Sequence, residues 1–121
     1  MPELPEVETI CRSLRHHVEG KVIQDVEIFL SRLVKWPSPE DFRAILVDRR
    51  IRVLQRRAKY MLFYLTDGWV LVIHLRMTGR LYFRSSGTPA NTAAKVVFYF
   101  NDGEALEYSD TRTLGTLYLL R

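Results

Sequence analysis

The amino-terminal residues of the chain combine a proline with two nearby carboxylates. Met1 is followed by Pro2 and Glu3, and Glu6 lies one helical turn further on. If Met1 is removed, Pro2 becomes a secondary α-amine with a pKa near 8, so that roughly a tenth of it is unprotonated at neutral pH. An amine of this kind can attack an electrophilic carbon to form an iminium ion, provided that a neighbouring acid protonates the group that leaves. One interpretation of this stretch is therefore Schiff-base chemistry.

A plain helix start is the other interpretation. Proline is favoured at the first helical position and acidic residues are favoured near the positive end of the helix dipole, which accounts for Pro5, Glu6 and Glu8. This alternative does not account for the pair Pro2 and Glu3. The residues alone leave both interpretations open.

Composition predicts one domain with a local concentration of positive charge. The chain has 121 residues, of which 47% are hydrophobic, enough for a single core. The formal net charge is +4, which suits a polyanionic partner but is also common among ordinary soluble proteins. Six cationic residues and no acidic one lie between positions 49 and 59, namely Arg49, Arg50, Arg52, Arg56, Arg57 and Lys59.

The single cysteine, Cys11, excludes an internal disulfide and a multi-cysteine zinc site within this chain, and we expect it to be a core residue. No metal site is expected from only three histidines. The acidic start and the lack of a long apolar run predict neither a signal peptide nor a membrane span. We therefore expect a cytoplasmic protein in a reducing compartment.

Two helices are predicted near the amino terminus. The first covers residues 5–17, because apolar residues recur at the spacing of one helical face, at Val7, Ile10, Cys11 and Leu14. The second covers residues 38–47, where Ser38 can cap the helix and Pro39 can occupy its first position. A loop containing Trp36 and Pro37 should precede it.

The remainder of the chain is predicted to be β-structure. Turn residues separate segments of β-branched and aromatic residues, which places strands at 21–30, 50–57, 59–65, 69–75, 80–84, 95–100, 104–109 and 114–120. The run at 69–73 is apolar on both faces, which favours a central strand covered on each side. The sequence predicts a mainly β fold with two helices: a two-layer antiparallel β-sandwich of about eight strands, with one helix at the amino terminus.

Four segments, in the same order along the chain, resemble the formamidopyrimidine-DNA glycosylases, bifunctional enzymes that excise oxidised purines. They read P-E-L-P-E-V-E-T at 2–9, R-R-A-K-Y at 56–60, H-L-R-M-T-G-R-L at 74–81 and Y-S-D-T-R-T-L-G at 108–115. Leu4 favours this branch over the related endonuclease VIII type, which usually has glycine there. The resemblance implies removal of 8-oxoguanine and formamidopyrimidines through a Schiff base, followed by β/δ-elimination at the abasic site.

The resemblance also implies the residues of the site. By position, the catalytic residues would be Pro2, Glu3, Glu6 and Lys59, and the DNA-binding residues would be Met77, Lys95, Arg112 and Leu114. Taken singly, each has a simpler interpretation: Lys59 as part of a solvated basic run, Met77 as a core residue, and Arg112 as a surface partner of Asp110. A non-catalytic DNA-binding or interaction module on the same scaffold is the alternative function.

The chain departs from the family at several places. Ala58 and Leu114 replace a glycine and a phenylalanine, and Ala93-Ala94-Lys95 stands where the family usually has a histidine pair. The helix-two-turn-helix module and the four-cysteine zinc finger of the family are absent from residues 1–121. The resemblance thus implies a catalytic amino-terminal domain, with the single zinc of the full-length protein lying elsewhere. The expected partner is damaged double-stranded DNA, bound by a monomer in the bacterial cytoplasm at the nucleoid, with no membrane involved.

Overall fold

The computed structural model of the chain describes residues 4–121. Within this range the chain forms two α-helices, α1 (Leu4–Val18) and α2 (Pro39–Leu46). The strands of the same range are β1 (Ile23–Ile28), β2 (Val34–Trp36), β3 (Ile51–Arg57), β4 (Tyr60–Leu65), β5 (Val70–His74), β6 (Gly79–Arg84), β7 (Val96–Phe100), β8 (Ala105–Asp110) and β9 (Thr116–Leu120). The predicted fold class, a sandwich with an amino-terminal helix, is confirmed.

The strands form two sheets. One has four strands in the order β1-β7-β8-β6, and the other has five in the order β2-β9-β5-β4-β3. Every pairing is antiparallel except that of β2 with β9, in which Val34 lies opposite Leu117 and Trp36 opposite Tyr118. The prediction of a loop around Trp36 was wrong, because β2 is too short to show a period and its partner is distant in sequence.

Helix α1 packs against the sheets through the face that the sequence indicates. Val7, Cys11 and Leu14 are buried and Val18 extends the same face. Burial raises the pKa of the Cys11 thiol to about 11, which leaves it protonated at neutral pH. The prediction that Cys11 is a core residue is confirmed.

Two side chains, one from α1 and one from the residue that follows it, bind the backbone of β3, which is one of the two edge strands of the five-stranded sheet. Arg15 Nε donates to the carbonyl oxygen of Leu54 at 2.9 Å, and the N–H of Leu54 donates to Glu19 Oε2 at 2.8 Å. These contacts satisfy strand groups that would otherwise be open to another chain. They also fix the helix lengthwise along β3 and so determine where its amino-terminal end lies.

Helix α2 begins as the sequence predicts. Ser38 Oγ accepts the N–H of Asp41 at 3.1 Å, and Pro39 opens the first turn. The buried residues Phe42 and Leu46 attach the helix to the core.

The two faces of β5, the middle strand of the five-stranded sheet, are buried to different degrees. Along β5, Leu71 and Ile73 are buried, whereas Val70 and Val72 on the opposite face are half-buried. The run at 69–73 therefore does supply a central strand, as expected, but its second face is only partly covered. β-branched residues fit a pleated strand even when one face meets solvent, so their presence did not require a second layer.

Candidate functional site

The strand register brings the candidate residues to one end of the sandwich. Tyr60 of β4 lies opposite His74 of β5, and His74 lies opposite Thr116 of β9. The chain segments that continue from these three positions meet at the same end. They carry Lys59, Met77, Arg112 and Leu114, which the resemblance singled out.

Lys59 lies in the tight turn between β3 and β4. The turn requires Ala58 to adopt φ +51°, in the left-handed region that favours glycine. This backbone conformation is consistent with the glycine that the resemblance implies at this position. Lys59 is half-buried, and its charge acts on the nearby His74.

Met77 and Leu114 project from two neighbouring loops. Their side chains are 44% and 42% exposed, and both border one cavity. The interpretation of Met77 as a core residue is thus wrong. Arg112 is exposed as well, and within residues 4–121 it forms no ion pair with Asp110, contrary to the simpler interpretation.

Asp110 joins the two loops. Its Oδ1 accepts hydrogen bonds from the hydroxyl of Thr78 at 2.5 Å and from the N–H of Thr113 at 2.9 Å. Its Oδ2 accepts from the hydroxyl of Tyr108 at 2.7 Å and from the N–H of Gly115 at 2.8 Å. Four donors on one carboxylate that is 1% exposed fix the loops with respect to each other.

The electrostatics of this network keep Asp110 ionised. Burial by itself would raise its pKa, but the hydrogen bonds from Thr78, Tyr108, Gly115 and Thr113 outweigh burial and hold the pKa below its usual range. The pKa of Tyr108 is raised because the side chain is buried and donates to this carboxylate. Tyr108 therefore remains a donor, and Asp110 an acceptor, at neutral pH.

His74 is held as a neutral imidazole. Its Nδ1 accepts the N–H of Arg76 at 3.0 Å, which leaves Nε2 to carry the proton. Burial lowers the pKa of His74, and the charges of Arg76 and Lys59 lower it further. The ring of Tyr60 meets the imidazole edge to face, with 4.7 Å between centroids.

Some of the cationic residues that cluster in the sequence form ion pairs in the folded chain. In the basic run at 49–59, Arg49 pairs with Asp67, and Arg56 pairs with Glu8 at 2.8 Å. The cationic side chains on the loops at the site end differ from this run in their ion pairing. Within residues 4–121, no carboxylate lies within ion-pair distance of four cationic groups there, Arg32, Lys35, Arg76 and Arg112.

The other sequence-predicted residues lie around the same end or outside the described range. Glu6, in the first turn of α1, is exposed and borders a shallow cavity together with Arg80 of β6. Lys95 precedes β7, and its N–H donates to the carbonyl oxygen of Tyr108 at 2.7 Å. Pro2 and Glu3 lie outside the described residues.

Sequence reasoning missed the residues that complete this end of the molecule. Arg32 and Lys35 come from the segment between β1 and α2, where no motif marked them. Thr78 and Asp110 lay within the quoted segments, but only the structure shows that they join the loops. In the described part of the chain, no three His, Cys, Asp or Glu side chains form a group that could hold a metal ion. No helix of that part is long and apolar enough to cross a membrane.

Comparison with known proteins gives consistent results. The sequence model of the family described as "Formamidopyrimidine-DNA glycosylase N-terminal domain" matches residues 1–117. The formamidopyrimidine-DNA glycosylase of Brevibacillus brevis is 47% identical over 120 residues, which are 98% of this chain and 43% of that protein. The Desulforamulus reducens protein of the same name is 42% identical over 121 residues, 99% of this chain and 44% of that protein.

Solved structures of a related protein resemble the fold of the chain over nearly its whole length. The Lactococcus lactis protein Fpg in complex with DNA containing an abasic site superimposes with a TM-score of 0.90 at 33% identity, covering 98% of this chain and 44% of that one. Its complex with DNA containing Fapy-dG gives a TM-score of 0.89 at the same identity and coverage. The chain spans less than half the length of the relatives that it matches. It belongs to the family of formamidopyrimidine-DNA glycosylase N-terminal domains.

Proposed function

We propose that the chain is the catalytic amino-terminal domain of a base-excision repair DNA glycosylase with AP lyase activity. Its substrate would be double-stranded DNA that contains oxidised purines, such as 8-oxoguanine and formamidopyrimidines, or abasic sites. One observation carries the proposal: Lys59 and the loops bearing Met77, Arg112 and Leu114 lie at one end of the sandwich, in a family whose solved members include complexes with damaged DNA.

The loops suit the problem that the reaction poses. The glycosidic bond of a stacked nucleotide is inaccessible, so the nucleotide must leave the duplex at a cost of a few kcal/mol in lost stacking. Met77 and Leu114 are exposed apolar groups that can refill the gap, and Arg112 can contact the base left without a partner. The cationic groups around them would hold the phosphates of the bent duplex.

The chemistry would begin at Pro2. With Met1 removed, its nitrogen attacks C1′, the glycosidic bond breaks, and Glu3 protonates the opening sugar while the base departs. The resulting iminium ion acidifies C2′, whose proton is lost as the bond to the 3′ phosphate breaks. A second elimination releases the 5′ phosphate. Lys59 would orient or protonate the departing phosphate. Glu6, in the first turn of α1, would supply a second carboxylate to the site.

Trapping with borohydride tests the mechanism. Reduction of the iminium ion should attach the protein covalently to DNA carrying an abasic site or 8-oxoguanine. A sample that retains Met1 is the matched control, because its Pro2 nitrogen is an amide without a nucleophilic lone pair. Covalent trapping by a verified Met1-bearing sample would exclude Pro2. DNA binding without trapping in the Met1-free protein would favour the alternative, a non-catalytic DNA-binding or interaction module.

The relatives suggest how the domain is completed. They are more than twice as long as this chain, and the family resemblance assigns the further DNA-binding modules and one zinc ion to the remainder. Because each lost phosphate contact lowers affinity, we expect residues 1–121 alone to bind duplex DNA weakly and to excise 8-oxoguanine poorly at physiological salt. We expect the complete protein to act as a monomer on the DNA of the bacterial cytoplasm.

A further inference from the structure

Arg56 connects two elements of the candidate site. Its Nε donates to Glu8 Oε1 at 2.8 Å, and its Nη1 donates to the carbonyl oxygen of Ala58 at 2.9 Å. Glu8 lies in the second turn of α1, whereas Ala58 precedes Lys59 in the turn between β3 and β4. These two bonds form the Arg56 bridge, in which one planar guanidinium holds a helix and a turn together.

The bridge lies where α1 has few other polar contacts. Arg15 and Glu19 bind β3 near the carboxyl-terminal end of the helix. Within the described part of the chain, the bond between Glu8 and Arg56 is the one hydrogen bond that joins residues 4–11 of α1 to a sheet. Because apolar packing is non-directional, this bond supplies a directional constraint on the start of the helix.

Both partners of the bridge are charged at neutral pH. The hydrogen bond from Arg56 is the main reason that the pKa of Glu8 is lowered, and the arginine itself is always protonated. The two side chains are 29% and 30% exposed, and an ion pair of this kind contributes little to the free energy of unfolding. Variants that break the bridge should therefore fold, so that an effect on the geometry of the site can be measured separately.

The proposed reaction needs the elements at both ends of the bridge. Pro2 and Glu3 directly precede α1 in the sequence, and Lys59 follows the residue whose carbonyl oxygen Arg56 binds. A displacement of reacting groups by about 1 Å can lower a rate on the order of 10²-fold. We propose that Arg56 is a positioning residue, which holds the start of α1 against the turn bearing Lys59 and so aligns the attacking amine with the lysine. This inference rests on the proposed function for its catalytic consequence, but not for the bridge itself.

Two variants with opposite changes in charge test the bridge in the natural polypeptide that contains this chain, with Met1 removed. Arg56→Gln removes a positive charge and Glu8→Gln removes a negative one, yet both weaken the same contact. If these residues acted only through long-range attraction to DNA, the two variants would change DNA affinity in opposite directions. As parts of one bridge, they should slow the chemistry in the same direction.

Arg12→Gln is the matched control. Arg12 also pairs with Glu8, and its loss changes the net charge as Arg56→Gln does, but the arginine forms no hydrogen bond to the turn within residues 4–121. The variant therefore removes one partner of Glu8 and leaves the bridge in place.

Single-turnover trapping with borohydride on abasic DNA measures the chemistry, and fluorescence anisotropy measures Kd at the same salt concentration. With saturating DNA, both bridge variants should form the trapped complex at least about tenfold more slowly than wild type. Saturation removes differences in affinity from this comparison. Arg12→Gln should react at nearly the wild-type rate, and bridge variants that react as fast as this control would overturn the proposal.

Two further variants distinguish the bridge from a simple charge. Arg56→Lys keeps the charge, but a single ammonium group does not reproduce the forked donors of the guanidinium, so the variant should remain several-fold slower than wild type. The double variant of Arg56→Gln and Glu8→Gln should be no slower than the slower single variant, because both changes remove one shared contact. Full recovery of the rate in Arg56→Lys, or losses that multiply in the double variant, would refute the bridge.

Nuclear magnetic resonance reads the bridge without DNA. The backbone amide of Lys59 belongs to the same peptide group as the carbonyl oxygen that Arg56 binds. Its signal should therefore shift in Arg56→Gln and also in Glu8→Gln, although Glu8 lies in a different element, and it should stay in place in Arg12→Gln. An unchanged signal in Glu8→Gln would show that the helix and the turn are not connected through Arg56.

The two proposals can fail separately. If wild type gives no trapped complex while the Lys59 signal shifts in both bridge variants, the glycosylase mechanism is wrong and the bridge between helix and turn stands. If wild type is trapped and the bridge variants react as fast as Arg12→Gln, the mechanism stands and the positioning role of Arg56 is refuted.

Discussion

The hydroxyl of Thr78 links Asp110 to Arg112. It donates to Asp110 Oδ1 at 2.5 Å and accepts the backbone N–H of Arg112 at 3.0 Å. The loop with Met77 and the loop with Arg112 are thereby joined through one hydroxyl and one buried carboxylate. Side chains that are distant in sequence are held as a unit at this end of the sandwich.

Asp110→Asn should weaken this unit. The amide offers one acceptor oxygen in place of two and turns an NH₂ group toward backbone donors, so we expect a loss of about 3 kcal/mol in the free energy of unfolding. Asp48→Asn is the control, because Asp48 is exposed at φ +72°, a conformation that asparagine tolerates. Urea denaturation of both variants at pH 7 measures the difference, and equal stabilities would contradict the role of Asp110.

The same variant has a pH signature. Because the pKa of Asp110 is lowered in the folded state, its contribution is complete above the unfolded value near 4 and is lost as the pH falls through the folded value. The difference in the free energy of unfolding between wild type and Asp110→Asn should become smaller as the pH falls through the folded pKa of Asp110. If this difference stays constant from pH 7 to pH 2, Asp110 stabilises the fold through packing and not through its charge.

Gly115 packs against Tyr108, which donates a hydrogen bond to Asp110. A Cβ at position 115 would lie 1.6 Å from the hydroxyl oxygen of Tyr108 and 2.9 Å from its Cζ. Gly115→Ala should therefore cost more than about 3 kcal/mol or prevent folding. Tyr108→Phe removes the atom that clashes most, so the double variant should be more stable than the sum of the single losses predicts. Thermal unfolding of the three variants tests this, and additive losses would refute the clash.

The elements that could be predicted from sequence are those with local signals. Helix α2 follows from Ser38 and Pro39, and α1 follows from the spacing of Val7, Cys11 and Leu14. Strand β2 has no such signal, because three residues show no period and its hydrogen-bonding partner β9 lies far along the chain. Local patterns therefore specified the elements but not every pairing.

The site could be predicted only where a motif marked it. The resemblance indicated Met77 and Arg112, and the structure places both on neighbouring exposed loops. Which charges remain unpaired was not predictable, since Arg56 meets Glu8 only after α1 has packed on β3. The cavity beside Arg32 was missed for the same reason: its walls come from segments that only the tertiary fold brings together.

Because of His74, the free energy of unfolding should decrease as the pH falls below about 6.5. Its folded pKa is lowered by burial and by the charges of Arg76 and Lys59, whereas the unfolded value is near 6.5. As the pH falls below about 6.5, the unfolded state takes up the proton first, so the free energy of unfolding decreases until the folded pKa is reached. His74→Asn should remove this part of the pH dependence, while His16→Asn on the exposed face of α1 should retain it.

Nuclear magnetic resonance titration of the imidazole signals measures the effect directly. The His74 resonances should titrate below the unfolded value near 6.5, and their shifts should report the tautomer protonated at Nε2. A His74 pKa at or above about 6.5 would contradict both the burial and the hydrogen bond from Arg76.

Ala58→Gly should stabilise the protein, unlike most substitutions by glycine. Ala58 is held at φ +51° in the turn that presents Lys59, and a residue with a Cβ pays roughly 1–2 kcal/mol for that conformation. Glycine relieves this strain but gives the unfolded chain more freedom, at about 0.5–1 kcal/mol, so a net gain of up to about 1.5 kcal/mol is expected. Ala44→Gly is the matched control: Ala44 is exposed within α2, where the same change should destabilise by about 0.5–1 kcal/mol. Opposite signs in parallel urea denaturation would support the strained turn, and a loss of stability in both variants would show that the turn bearing Lys59 carries no strain that glycine can relieve.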